Sequence, residues 1–213
     1  MGRLDPRSLG VYVVTSSGAV AGRGHREVAL AAIEGGATAL QLRAKELADD
    51  ELLPLAEELA ARCRDAGVLF VVNDRVEIAL ASGAAGLHVG QADELDRVRE
   101  RVGAGVVLGI SVEDPRQAVA AEAAGADYLG VTVWSTPTKP DARPHGLDGL
   151  REVVAATSLP VVGIGGITPS NAAEVLGAGA AGVAVVSAVG AADDPIAATR
   201  VLAEVVDRWR TGR

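Results

Sequence analysis

Eight short runs rich in β-branched and aliphatic residues recur along the chain, each followed by an Ala-, Glu- and Arg-rich segment with apolar residues at helical spacing. The runs are Val11–Thr15, Ala39–Arg43, Leu69–Asn73, Gly86–Val89, Val106–Ser111, Tyr128–Thr132, Val161–Ile164 and Gly182–Ser187. After the second run, Leu52, Leu55, Ala56 and Leu59 share one face of a helix expected over 51–64. The alternation never stops or changes character, so no linker divides the 213 residues. One domain is expected over 1–213, with mobile ends at 1–9 and 211–213.

An internal repeat supports this count. Gly36-Ala-Thr-Ala-Leu, Gly83-Ala-Ala-Gly-Leu, Gly125-Ala-Asp-Tyr-Leu and Gly179-Ala-Ala-Gly-Val share a pattern in which Gly closes a helix just before a strand. Their separation is near twice the length of one strand–helix unit, as a quarter-barrel duplication would give. Eight parallel strands with helical crossovers close most economically into an α/β single-domain (β/α)8 TIM barrel, with a doubly wound open sheet as the alternative. In a barrel, function sits at the C-terminal ends of the strands.

Composition narrows the function classes. Twenty Lys and Arg against 28 Asp and Glu leave a net charge of −8 and a pI of 4.9, which argues against nucleic acid as a partner. The mean hydropathy of +0.26 is carried by Ala, Val and Gly, and charge interrupts every apolar run before the ~20 residues a membrane span needs. The first residues lack the apolar stretch of a signal peptide, and the lone Cys63 excludes an internal disulfide or a Cys-based zinc site, so a cytoplasmic protein is expected. With aromatics at only 2%, the core is expected to rest on small and branched aliphatics.

Polar residues at the strand ends then become the candidates for chemistry. In the second strand, alternation sets Gln41, Arg43 and Lys45 on one side, toward the mouth, and Leu40 and Leu42 on the other, toward helices. A solvated rim would also explain Arg43 and Lys45. Asn73 and Asp74 follow the third strand and Asp93 the fourth; each could cap a helix, but two carboxylates at adjacent strand ends also form a hard-cation site suited to magnesium. His88 reads as a core or supporting histidine, since no second His lies at ligand spacing. Ser111 ends the fifth strand. The loop after the sixth, Trp134-Ser-Thr-Pro-Thr-Lys-Pro-Asp141, carries Thr136, Thr138 and Lys139, or is a plain solvated loop. Gly165 and Gly166 after the seventh strand, with Val186 and Ser187 after the eighth, sit where barrels commonly hold a phosphate on backbone N–H groups. Two anion sites in one mouth follow, and with a divalent cation the charge of the first balances that of a pyrophosphate.

At this point the chain resembles the thiamine phosphate synthase family from Val11 to Val206. The resemblance is carried by Gln41-Leu-Arg-Ala-Lys45, Val72-Asn-Asp-Arg75, Gly86-Leu-His-Val-Gly-Gln-Ala-Asp93, Gly125-Ala-Asp-Tyr-Leu-Gly130, Thr136-Pro-Thr-Lys139, Gly163-Ile-Gly-Gly-Ile167 and Gly182-Val-Ala-Val-Val-Ser187. It implies condensation of a hydroxymethylpyrimidine diphosphate with a hydroxyethylthiazole phosphate, giving thiamine phosphate and pyrophosphate. It further implies that Gln41, Arg43, Lys45, Asn73, Ser111 and Lys139 hold the pyrimidine diphosphate, with Arg43, Lys139 and Ser111 carrying the chemistry. Asp74 and Asp93 would bind Mg2+, and Thr136, Thr138, Gly166, Val186 and Ser187 the thiazole phosphate. The chain departs from the family pattern at Val131-Thr-Val-Trp-Ser135, at Glu113 and at Ser16-Ser17, which leaves Trp134 as the aromatic expected over the substrate. A thiazole tautomerase or a phosphate-ligand sensor on the same barrel are the rival readings, and the sequence leaves a homo-oligomer open.

Overall fold

The computed structural model describes residues 4–17, 22–90, 95–135 and 143–212. Eight parallel strands run in chain order around a closed barrel: β1 (Val11–Val14), β2 (Ala39–Leu42), β3 (Leu69–Asn73), β4 (Gly86–Val89), β5 (Val107–Ser111), β6 (Tyr128–Thr132), β7 (Val161–Ile164) and β8 (Gly182–Val185). β8 closes on β1 with Ala184 beside Tyr12, so the open-sheet alternative is excluded. The four repeated glycines precede β2, β4, β6 and β8, and all have positive φ. The repeat thus marks every second strand–helix unit.

The outer ring comprises α1 (His25–Glu34), α2 (Asp49–Ala66), α3 (Val76–Ala81), α4 (Leu95–Val102), α5 (Pro115–Ala123), α6 (Gly146–Ala156), α7 (Ala172–Gly177) and α9 (Pro195–Thr211), with a one-turn α8 (Ser187–Gly190) after β8. Leu52, Ala56, Leu59 and Cys63 recur at helical spacing on α2 and are all buried against the sheet. Burial pushes the Cys63 thiol up to about 12, so it packs as a small inert hydrophobe.

Strand alternation divides the core in two. Val13, Leu40, Leu42, Phe70, Val72, Leu87, Leu108 and Leu129 face outward and meet the helices. Tyr12, Val14, Ala39, Val71, Tyr128, Val162 and Ala184 fill the barrel interior, joined from below by Leu9. Two of the five aromatics therefore occupy the innermost position, where small aliphatics were expected. Space for them comes from an inward glycine: a Cβ on Gly109 would lie 2.0 Å from Tyr128 Cζ, so only a residue without one fits there.

Several boundaries differ from the sequence reading. Pro6–Leu9, expected within a mobile end, form a 3-10 turn capped by the Asp5 side chain, and Leu9 is fully buried beneath the barrel. Three strands stop early, which moves Thr15, Arg43 and Val186 into the loops at the mouth and Ser187 to the start of α8.

Candidate active site

At the carboxyl ends of the strands the interior opens into a cavity of about 340 Å³, within the range of small-ligand sites. Gln41, Arg43, Lys45, Asn73, Asp74, Ser111, Gly166, Val186 and Ser187 all line it. Asp93, Thr136, Thr138 and Lys139 lie outside the described residues.

The cavity floor is a chain of hydrogen bonds that sequence reading missed. Gln41 Nε2 donates to the Tyr12 hydroxyl at 2.8 Å, and the two tyrosine hydroxyls are 2.8 Å apart. Tyr128 then meets His88 Nδ1 at 3.0 Å, and His88 Nε2 meets Ser111 Oγ at 3.0 Å. Each side chain stands on an inward strand position, so five strands contribute to one polar path. Burial raises the pKa of both phenols, which stay neutral; for Tyr12 the bonds to Tyr128 and Gln41 only partly offset this. The available signal was the inward register of Tyr12 and Tyr128 beside an inward glycine.

The rim carries charge without partners. Among the described residues, no hydrogen bond or ion pair engages the side chains of Arg43, Lys45 or Asp74, although all three line the cavity. Asp74 adopts φ 61, alone among the described non-glycine residues in having positive φ, a conformation that costs about 1–3 kcal/mol and concentrates at functional sites. Its N–H donates to the His88 carbonyl at 2.9 Å, and Asn73 Nδ2 donates to the same oxygen at 3.1 Å. Neither residue caps α3, whose cap is Arg75 without a side-chain bond, so the capping alternative for Asn73 and Asp74 falls. Arg75 is instead tied to Asp49 and the Leu47 carbonyl.

A second cluster steadies the β2 end. Thr15 Oγ1 accepts from the Arg43 N–H at 3.1 Å and lies 2.9 Å from His25 Nδ1, whose Nε2 meets Glu46 at 2.6 Å. Burial works against the Glu46 carboxylate, but bonds from His25, its own N–H and Ser17 hold it below the usual range.

On the opposite side, Gly165 and Gly166 take φ 94 and 62 and turn the chain under Trp134. Asn171 pins this turn, donating to the Gly166 carbonyl at 3.0 Å while accepting from the Thr168 N–H at 2.8 Å. Ser187 opens α8 beside it, so the loops after β7 and β8 meet in one corner of the cavity, the usual place for a phosphate in such barrels. Trp134 is half-buried against the outer core and backs this turn.

A closed (β/α)8 barrel whose mouth holds one cavity, lined on one side by charged side chains without a partner among the described residues and on the other by a glycine turn, defines the class of (β/α)8 barrels with a ligand-sized site at the strand ends. The sequence pattern of the family described as thiamine monophosphate synthase matches residues 11–189. The chain is 49% identical over 206 residues to the thiamine-phosphate synthase of Natronomonas pharaonis, covering 94% of this chain and 96% of that one. It is 50% identical over 203 residues to that of Moorella thermoacetica, covering 94% and 97%. The solved thiamine phosphate pyrophosphorylase of Pyrococcus furiosus superposes with a TM-score of 0.89 at 39% identity, over 96% of this chain and 98% of that one. The chain belongs to the thiamine monophosphate synthase family, and like the thiamine-phosphate synthases it matches it is a transferase. Among the described residues, no helix is long and apolar enough to cross a membrane.

Proposed function

We propose that this chain is a thiamine phosphate synthase, joining a hydroxymethylpyrimidine diphosphate to a hydroxyethylthiazole phosphate in the cytoplasm. The observation that carries the reading is the set of unpaired Arg43, Lys45 and Asp74 side chains around one cavity in a chain of this family. Charges without partners at a cavity await a charged ligand. A tautomerase or a sensor would have no diphosphate on which to use them.

In this reading the carbon–oxygen bond between the pyrimidine methylene and the diphosphate breaks, and pyrophosphate departs with the electron pair. The thiazole nitrogen then supplies its lone pair to the methylene carbon. Arg43 and Lys45 stabilise the charge building on the departing oxygens, joined by Lys139. Gln41, Asn73 and Ser111 hold the pyrimidine half against the floor, and Gly166, Val186 and Ser187, with Thr136 and Thr138, hold the thiazole phosphate on the far side. Holding both rings in one cavity turns a bimolecular encounter into an oriented one.

The donor set fits magnesium: an exposed, unpaired carboxylate on Asp74, fixed by a strained backbone, is the hard-oxygen ligand this ion takes one or two of. Asp74 and Asp93 would hold it. Bound there with the diphosphate, it would neutralise leaving-group charge. Purified protein given both phosphorylated rings and magnesium tests the reading. Thiamine phosphate should accumulate only when all three are present; product without the diphosphate, or none from folded protein, overturns it.

A further inference from the structure

The hydrogen-bond chain through the cavity floor has a direction, and counting protons reveals it. Gln41 Nε2 donates to the Tyr12 oxygen, so Tyr12 must give its own proton elsewhere; the remaining described partner is the Tyr128 oxygen. Tyr128, accepting from Tyr12, gives its single proton to His88 Nδ1. A ring nitrogen that accepts carries no hydrogen, so His88 bears its proton on Nε2 and donates to Ser111 Oγ. No described hydrogen bond takes the Ser111 proton, which is left to the cavity that Ser111 lines. Gln41, with its NH2 turned to Tyr12, keeps its carbonyl oxygen for the same cavity.

We propose that Tyr12, Tyr128 and His88 are positioning residues that lock this direction, so that the floor offers an acceptor at Gln41 and a donor at Ser111. The pair selects a ring bearing an amine over the same ring bearing a carbonyl. An amine donates to the Gln41 oxygen while Ser111 donates to an acceptor atom of the same substrate. A ring carbonyl would set two acceptors against each other at Gln41, with no way to rotate the amide short of reversing every bond in the chain. With a neutral imidazole the same heavy atoms admit one other ordering: Ser111 to Nε2, Nδ1–H to Tyr128, Tyr128 to Tyr12, and Tyr12 to a turned amide. That ordering presents the opposite pattern. The identity of the ring rests on the synthase reading; the direction of the chain does not.

Two measurements test it. Nitrogen-15 spectra of the wild-type imidazoles should show His88 as the Nε2–H tautomer, its signal assigned by elimination from His25→Gln and His145→Gln. An Nδ1–H tautomer overturns the proposal. In steady-state kinetics, wild type should prefer the aminopyrimidine diphosphate over the matching oxo compound by on the order of 10²-fold or more in kcat/KM. Tyr128→Phe breaks the chain without altering Gln41 or Ser111, and should shrink that preference at least about tenfold, with KM for the thiazole phosphate kept within about twofold. Tyr12→Phe cuts the adjacent link and should do the same, which serves if Tyr128→Phe does not fold. A preference unchanged in either folded variant, or absent in wild type, overturns the proposal. Failure of wild type to convert the aminopyrimidine compound at all would instead defeat the synthase reading, and the tautomer would still decide the direction of the chain.

Discussion

Leu42 and Gln41 are adjacent residues of one strand, yet they enter different kinds of core. Leu42 joins the layer between barrel and helices, where contacts are aliphatic and without direction. Gln41 enters the interior, where two buried tyrosines, a histidine and a serine are linked by bonds of 2.8 to 3.0 Å. The outer layer stabilises in proportion to the area it removes from water, and any side chain of the right volume serves. The inner cluster stabilises little on balance but fixes where donors and acceptors stand. Stability is therefore vested mainly in one face of the sheet and recognition in the other.

The largest expected effect comes from the outer layer. Leu59→Ala should cost about 2–5 kcal/mol in denaturant unfolding, as cavity-forming substitutions do, while turnover per folded molecule stays unchanged. A marked loss of turnover in the folded fraction would break the division between the faces. Gly109→Ala should cost about 1–3 kcal/mol, because the new methyl would collide with the Tyr128 ring and displace it from its hydrogen-bond partners. Here turnover should fall as well, and a variant with normal turnover would show that the tyrosine need not hold its place.

A smaller effect appears at high pH. Burial lifts the pKa of Tyr12 and Tyr128 above the ordinary phenol value of about 10. Above about pH 10 the unfolded chain releases protons that the fold retains, so stability present at lower pH is lost progressively as pH rises. The Tyr12→Phe, Tyr128→Phe double variant should be less stable at neutral pH and lose less on going from pH 9 to pH 11, about as linkage requires. An equally steep alkaline decline in the double variant would show that other groups govern it.

Much of this division is legible in the sequence. Period-two alternation set Leu40 and Leu42 outward and Gln41 inward, since a strand between helices and a narrow interior leaves each side chain one of two directions. The glycine repeat placed even-numbered strands for a comparable reason, a helix end that only positive φ can close. The inward register of Tyr12 and Tyr128 was open to reading, but their bond to each other was not, because they stand 116 residues apart and meet only through barrel closure. Nor was the burial of Leu9, which depends on the barrel's lower opening being present to fill. Among the site residues, strand-end position selected Arg43, Lys45, Asp74, Asp93 and Ser111, and the loop after the sixth strand Thr136, Thr138 and Lys139, whereas the substrate each is assigned to rests on the motif resemblance.

Arg43 tests the central claim most directly, since its backbone is anchored by Thr15 while its guanidinium has no described partner. Steady-state kinetics of Arg43→Ala, with each substrate varied in turn, should show kcat/KM for the pyrimidine diphosphate falling on the order of 10²–10³-fold. KM for the thiazole phosphate should stay within about twofold, as expected if the lost charge acts on the leaving group alone. A loss below about tenfold, or an equal rise in KM for both substrates, would contradict the assignment of these unpaired cations to the departing diphosphate.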